Sequence, residues 1–427
     1  MVNTCAFVDD AKAESISAIL DAAGYKQAGS AKRVVVTGCL AQRYGADLAS
    51  ELPEVDLVVG FQEYPKLSAE LHAALGPQRA RGAGEKPPAV GALAASPAAV
   101  AKVLVGDATV PFRAEWDRVG LTPRHSAYLR VAEGCDHKCT FCAIPSFRGK
   151  FRSKPWEAVL DEARRLAASG VKELNLIAED TNQYGQDFPA SDKRRLSHLL
   201  EALSAIDGIH WIRILYAYPS YFTDDLIEAI ARLPKVCKYI DIPLQHIANT
   251  QLLAMNRPPR QHTEMLLNTL RDRIPGLALR TTFICGFPGE RPEDHAQLVS
   301  FCREFQFERL GAFAFSQEEG TPAGTYPEQI DLAVREARRD ELVAQQQRIC
   351  ERFSISRVGS VLDVLVDAID EEGVFVGRTQ LEAPDVDPVV FLHDAGLPGV
   401  EPLSVGQMRR CKVIGASMFD LTAHPVV

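Results

Sequence analysis

The stretch EGCDHKCTFCAIPSFRG, residues 133–149, spaces Cys135, Cys139 and Cys142 as CxxxCxxC. It directly follows AYLRVAEG, which reads as a β-strand. A loop at that position can fold three thiolates around one face of a cube and ligate three irons of a 4Fe-4S cluster, leaving the fourth iron open. A zinc knot is the competing reading of three clustered cysteines. Zinc wants four ligands, and the nearest fourth, His137, lies inside the motif, where the geometry would strain it.

An open iron is what a radical S-adenosylmethionine (SAM) enzyme needs, because the amino and carboxylate groups of SAM chelate it. The surroundings suit that chemistry. From Ser126 onward, strand-like runs alternate with helical ones: AYLRVAEG, ELNLIAED, WIRILYAYP, KYIDIPLQ, LRTTFICGF and RLGAFAFS are the expected strands. WEAVLDEARRLAASG and PEDHAQLVSFCREF are among the helical stretches between them. Six β/α units predict a parallel barrel or part of one, with chemistry at the carboxyl ends of its strands. Phe141, just before the third cysteine, suits packing against the adenine of SAM, although a plain core role would also place an aromatic there.

Upstream, the chain opens on Val2-Asn3-Thr4-Cys5, the end of a strand. A helical stretch, AESISAILDAA, follows and is expected to stop at Gly24, and then a second strand runs to Cys39 in AKRVVVTGC. A right-handed crossover would lay the two strands parallel, with Cys5 and Cys39 leaving the same carboxyl edge. Neighbouring strands are ~4.8 Å apart, so the two thiols could face one metal centre. VDLVVGFQEY (Val55 to Tyr64) reads as the next strand.

From about Ala74 to Val100 the chain is rich in Ala, Gly and Pro without periodicity, a linker composition. After the six β/α units, a long polar helix is expected over roughly Leu332 to Phe353. Short strands in SVLDVLVDAIDEEGVFVGRTQ and QMRRCKVIGASMFDLTA then predict a small antiparallel barrel.

The 427 residues exceed one ordinary core, and 46% hydrophobic with 24% charged residues are globular values. No apolar run approaches the ~18 to 20 residues that span a bilayer, and no signal peptide opens the chain. A cytoplasmic protein without a membrane partner is expected. In that compartment ten cysteines read as metal ligands, catalytic groups or buried small hydrophobes rather than disulfides. Cys237, Cys285, Cys302, Cys350 and Cys411 have no spacing partners and read as core. The net charge of −9 does not advertise a nucleic-acid partner.

These motifs together resemble the radical SAM methylthiotransferases, and within them the RimO type, which methylthiolates an aspartate of small-subunit ribosomal protein twelve. The matching stretches are NTCAFVDDAKAESI, VVVTGCLAQRYG, VAEGCDHKCTFCAIPSFRGKFRS, LNLIAEDTNQYG, WIRILYAYP, YIDIPLQH, MNRP, RTTFICGFPGE and RLGAFAFSQEEGTPA. They run from Asn3 to about Ala323, and the tail resembles the family's TRAM domain.

The resemblance implies an α/β protein in three parts: an N-terminal parallel-sheet methylthiotransferase domain, incomplete here (1–75), and, after a linker (76–120), a radical SAM partial β/α barrel (121–352) and a TRAM barrel (353–427). It implies two 4Fe-4S clusters, one on Cys135, Cys139 and Cys142 and an auxiliary one on Cys5, Cys39 and a third cysteine absent from this sequence. In the implied reaction one SAM supplies a methyl group to sulfur on the auxiliary cluster, and a second, cleaved reductively by an outside electron donor, yields the radical that takes hydrogen from the aspartate β-carbon. No classical acid or base is assigned.

By the same resemblance Glu179, at the end of LIAED, and Gln245, ending DIPLQ, are placed at the methionyl end of SAM; each could equally be a strand-end polar residue held by a loop. Gly286 and Gly289 in CGFPGE mark a backbone turn near the adenine, where φ > 0 is expected. His246 reads as a hydrogen-bonded structural residue. The basic run RGKFRSKP (Arg148 to Pro155) reads either as a solvated loop or as a contact with ribosomal protein or RNA.

Two rival functions remain. One is the transfer-RNA methylthiolation of the MiaB type, against which stand FCAIPSFRGKFRS and DIPLQH. The other is an iron-sulfur or RNA-binding protein without catalysis. Family members carry roughly 45 to 50 residues before the equivalent of Val2, one βα unit plus a strand. Met1 is therefore expected to be an internal start, and a chain truly beginning there to lose the auxiliary cluster and sulfur insertion.

Overall fold

A computed structural model describes residues 1–75, 101–110, 112, 123–393 and 401–426. The chain divides into two compact units, and neither follows the sequence continuously. The first comprises Met1–Arg113, Gly134–Phe151 and Ser316–Gly324; the second takes Ala114–Glu133, Arg152–Phe315 and Thr325–Val427.

The first unit is built on a parallel sheet of β1 (Val2–Thr4), β2 (Val35–Gly38), β3 (Leu57–Val59) and β4 (Lys102–Leu104), in that spatial order. Helices α1 (Asp9–Gln27), α2 (Cys39–Glu51) and α3 (Leu67–Leu75) connect or follow the first three strands. Ile19, Ala23, Val36, Leu40, Leu48 and Val58 bury a core between sheet and helices. Gly24 does not stop α1 as expected. Its backbone is not in the left-handed region, and the helix runs on to Gln27 and ends at Gly29, whose φ is 77°.

Residues 76–100 of the expected linker lie outside the described residues. Beyond them Lys102–Leu104 adds the fourth strand, in register with Leu57–Val59. Three residues are too few to show a period, so this strand was not legible in advance.

The second unit holds all six expected barrel strands in one parallel sheet: β5 (Ser126–Arg130), β8 (Glu173–Ile177), β9 (Trp211–Ile214), β10 (Val236–Asp241), β11 (Ala278–Cys285) and β12 (Arg309–Ala314). They are ordered β12-β11-β10-β9-β8-β5, a part-barrel with a helix following each of the first five. The helices are α5 (Trp156–Ala168), α6 (Leu196–Ser204), α7 (Asp224–Arg232), α8 (Asn249–Ala254), α9 (Arg260–Arg273) and α10 (Pro292–Phe305), with α4 (Ile144–Arg148) inside the cysteine-bearing loop of the first unit. Leu129, Leu174, Leu176, Ile212, Ile240, Leu279 and Phe283 are fully buried under them. AYLRVAEG is not one strand: β5 ends at Arg130, and β6 (Ala132–Glu133) peels away to pair antiparallel with β7 (Arg152–Ser153). This hairpin closes the neck of the loop between them.

The long helix α11 (Leu332–Ser356) leads to a closed barrel of β13 (Val361–Ile369), β14 (Phe375–Arg378), β15 (Val390–Leu392), β16 (Met408–Ser417) and β17 (Asp420–Pro425). Every pairing is antiparallel except β15 with β17. Buried charge fastens this barrel to the six-stranded sheet. Glu173, fully buried at the start of β8, accepts Arg213 of β9 at 3.0 Å and Arg378 of β14 at 2.8 Å. Glu382 in turn takes Arg309 of β12 and Arg357. Burial alone would raise Glu173, but Arg213 and Arg378 outweigh it and hold the carboxyl at about 2.

Candidate functional site

The three-cysteine loop is shaped by the residues around its thiols. Gly134 has φ 77°, and a Cβ there would lie 2.2 Å from the Lys150 carbonyl, so the turn into Cys135 admits only glycine. The Cys135 amide donates to the Gly149 carbonyl at 3.1 Å, and the Phe151 amide to Asp136 Oδ1 at 3.1 Å, so the two limbs of the loop are stitched together. The Cys142 amide donates to the Cys139 carbonyl at 3.1 Å, a turn that carries Thr140 and Phe141 at its tip. All three cysteines, and Phe141, are partly exposed.

Cys5 and Cys39 sit where the strand argument placed them. Register pairs Thr4 with Gly38, so each cysteine is the next residue past the same edge of the sheet. Thr4 Oγ1 donates to the Thr37 carbonyl at 2.6 Å. Gly38 has φ 97°, and a Cβ there would lie 2.4 Å from the Thr4 carbonyl, so again only glycine fits before the cysteine. Ser15 Oγ holds the Cys5 backbone, accepting its amide at 3.0 Å. Cys5 is exposed and Cys39 partly so.

The other five cysteines are buried. Burial pushes the Cys237 thiol up to about 11 and Cys285 to about 12, and raises Cys302, Cys350 and Cys411 as well. They remain neutral thiols that fill core, as their lack of spacing partners implied.

In the second unit, Glu179 follows β8 and accepts Arg130 Nη1 at 3.2 Å, while Arg130 Nε reaches Glu133 at 3.2 Å. Sequence reasoning did not foresee this arginine, because its partners lie on different strand ends. Gln245 has φ 74°; its amide donates to Thr282 and its carbonyl accepts Ile284, extending the sheet past β10. Gly286 and Gly289 both have φ 75°, as expected of that turn, and a Cβ on Gly286 would strike Arg335 Cγ at 2.4 Å. Glu290 closes the turn by accepting the Gly286 and Phe287 amides and Arg338 Nη1. Tyr216, after β9, has φ 62° and is 43% exposed, a strained position that the sequence does not reveal.

His246 is fully buried and its Nδ1 accepts the Ala248 amide at 3.0 Å; burial pushes it down to about 3, so it is a neutral structural residue. The basic run at 148–155 is not simply a solvated loop. Phe151 is buried, and Lys154, 3% exposed, pairs with buried Glu162.

Among the described residues no three His, Cys, Asp or Glu side chains converge as a single metal ion requires. Cys135, Cys139 and Cys142 are all partly exposed on one loop, and a cubane cluster would take each thiolate on a different iron.

The radical SAM superfamily pattern matches residues 129–302, the TRAM domain pattern matches 358–426, and "Uncharacterized protein family UPF0004" matches 1–60. Among curated proteins, "Ribosomal protein uS12 methylthiotransferase RimO" of Clostridioides difficile is 40% identical over 99% of this chain and 88% of its own length. The proteins of the same name from Symbiobacterium thermophilum and Geobacter sulfurreducens are 42% and 41% identical, each over 99% of this chain, and over 82% and 88% of their own lengths. Among solved structures, the cobalamin-dependent SAM radical enzyme OxsB is 14% identical with a TM-score of 0.45, covering 81% of this chain and 47% of that one. That likeness is too distant to carry an argument. With near-complete coverage at about 40% identity, this chain belongs to the RimO family of radical SAM methylthiotransferases.

Proposed function

We infer that this protein adds a methylthio group to the β-carbon of an aspartate in ribosomal protein uS12. The observation that carries the reading is the CxxxCxxC loop of partly exposed thiols after the first strand of a six-stranded parallel sheet, in a chain about 40% identical to uS12 methylthiotransferases. Cys135, Cys139 and Cys142 would hold a 4Fe-4S cluster, and Cys5 and Cys39 two ligand positions of a second. When bound, cluster and SAM supply the one-electron chemistry that breaks an unactivated C–H bond, for which no side-chain base is strong enough.

The chain's own residues bind and orient. Glu179 would meet the methionyl amine, with Arg130 holding its carboxylate in place, and Gln245 would line the same end. The turn at Gly286 and Gly289, fixed by Glu290 and leaving room for Arg335 and Glu328, would lie near the adenine. We propose an N-terminal domain of residues 1–75 to which Lys102–Leu104, within the expected linker 76–120, adds a strand, then domains at 121–352 and 353–427, with the barrel after α11 meeting the substrate. An outside one-electron donor is required. Of the basic run, exposed Lys150 is the residue we propose for ribosomal RNA contact, since Phe151 and Lys154 are buried and Arg148 lies over the Phe61 ring. No helix among the described residues is long and apolar enough to cross a membrane. A ribosomal substrate would be met in the cytoplasm.

Anaerobic reconstitution with iron, sulfide, SAM and dithionite tests this reading. Incubation with uS12 should give 5′-deoxyadenosine and methylthiolated aspartate by mass spectrometry, and transfer RNA should return unchanged. Absence of both products would overturn the enzyme reading; modification of transfer RNA instead would move the protein to the rival substrate class.

A further inference from the structure

Ser316–Gly324 (SQEEGTPAG) belongs to the first unit, although in sequence it follows the last strand of the part-barrel. It is a stiff strap. Thr321 Oγ1 donates to the Glu318 carbonyl at 2.7 Å, Gln317 Nε2 donates to the Gly324 carbonyl at 2.8 Å, and a Cβ on Gly324 would lie 2.4 Å from the Glu318 carbonyl.

One end of the strap grips the three-cysteine loop, where the amide of fully buried Ala323 donates at 2.9 Å to the carbonyl of Thr140, next to Cys139. The other end grips the N-terminal edge through Glu318, whose side chain is 3% exposed. Its Oε2 accepts Lys12 Nζ at 2.9 Å and Arg43 Nη1 at 3.2 Å. Lys12 lies in the first turn of α1, just beyond Cys5. Arg43 lies one turn into α2, which Cys39 opens, and its Nη1 also donates to the carbonyl of Ala6 at 2.9 Å. Arg43 further donates to the Glu319 carbonyl. A single buried carboxylate thus ties the helices that leave both N-terminal cysteines to a strap bonded to the tip of the other cysteine loop.

We propose that Glu318 is a positioning residue which, through the strap, fixes the distance between the Cys135–Cys139–Cys142 loop and the Cys5–Cys39 edge. This rests on the reading of both cysteine sets as cluster ligands. Transfer between two bound centres depends steeply on their separation, because a displacement of about 1 Å can cost roughly a hundredfold in rate. A carboxylate with two cationic partners on different helices is suited to hold that separation, since each charge-assisted bond fixes a direction as well as a length.

The test compares the reconstituted full chain with Glu318→Gln, which removes the charge but keeps the shape, and Glu318→Ala. Hydrogen exchange is read at residues 1–12, 134–142 and 316–324, together with iron content, 5′-deoxyadenosine and methylthiolated uS12. We expect exchange in all three segments to speed up together by roughly tenfold, iron on the loop and 5′-deoxyadenosine to persist, and methylthiolation per 5′-deoxyadenosine to fall roughly tenfold. If Glu318→Ala does not fold, Glu318→Gln decides. Unchanged exchange, or loosened exchange with an unchanged product ratio, would overturn the proposal. Failure of the cluster reading itself shows separately, as a wild-type chain that makes no 5′-deoxyadenosine or no methylthiolated uS12, and exchange at the three segments then decides the role of Glu318.

Discussion

The loop that carries Cys135, Cys139 and Cys142 and the sheet edge that carries Cys5 and Cys39 open with the same device. Each has a left-handed glycine immediately before a cysteine, Gly134 or Gly38, whose missing Cβ leaves room for a backbone carbonyl. They differ in what brings their thiols together. In the loop, three cysteines lie within eight residues and a short turn with two stitching hydrogen bonds shapes the segment between them. At the edge, proximity exists only because β1 pairs with β2 in a register that sets Thr4 opposite Gly38. A one-residue slip would turn every side chain of β1 to the other face. The loop is a local construction, and the edge depends on the fold.

The comparison breaks most sharply at the thiols. Cys139→Ala should bring both 5′-deoxyadenosine and methylthiolated uS12 to background, whereas Cys39→Ala should remove methylthiolation yet keep 5′-deoxyadenosine within about threefold of the parent. Equal loss of both products in the two variants would mean that the edge does not act as a separate centre.

A second test lies away from both thiol sets. Glu173→Ala leaves fully buried Arg213 without its carboxylate and Arg378 with Asp367 alone, and should cost about 3 to 5 kcal/mol in a urea melt. Both thiol sets should remain able to bind iron if they depend only on the first unit. The same carboxyl sets an acid limit. Its folded value of about 2 lies below the ordinary 4.5, so its contribution is complete above about pH 4.5 and is lost as pH falls toward 2. Glu173→Gln should flatten the stability profile across that window; an unchanged slope would show that the ion network does not fasten the barrel.

The smallest effects separate local from fold-dependent construction. Gly134→Ala and Gly38→Ala both force a Cβ against a carbonyl at φ > 0, each at a cost of about 1 to 3 kcal/mol. Thermal melts should show the loss with Gly38→Ala, where strand pairing is disturbed. With Gly134→Ala the loss should appear chiefly as reduced iron on the loop, and equal melting shifts with intact iron would count against the distinction.

Sequence alone determined the three-cysteine loop, the six β/α units, the closing barrel and the five core cysteines, because each rests on short-range spacing or on a periodicity that burial enforces. It also placed Cys5 and Cys39 at strand ends, although their meeting needed the register to be right. What tertiary structure alone decided are contacts between residues far apart in the chain: the short fourth strand at Lys102–Leu104, Arg130 holding Glu179, the strain at Tyr216, and Glu318 buried between Lys12 and Arg43. An ion pair leaves no period in a sequence. A charged residue reads as surface until the fold removes its water and supplies its partners.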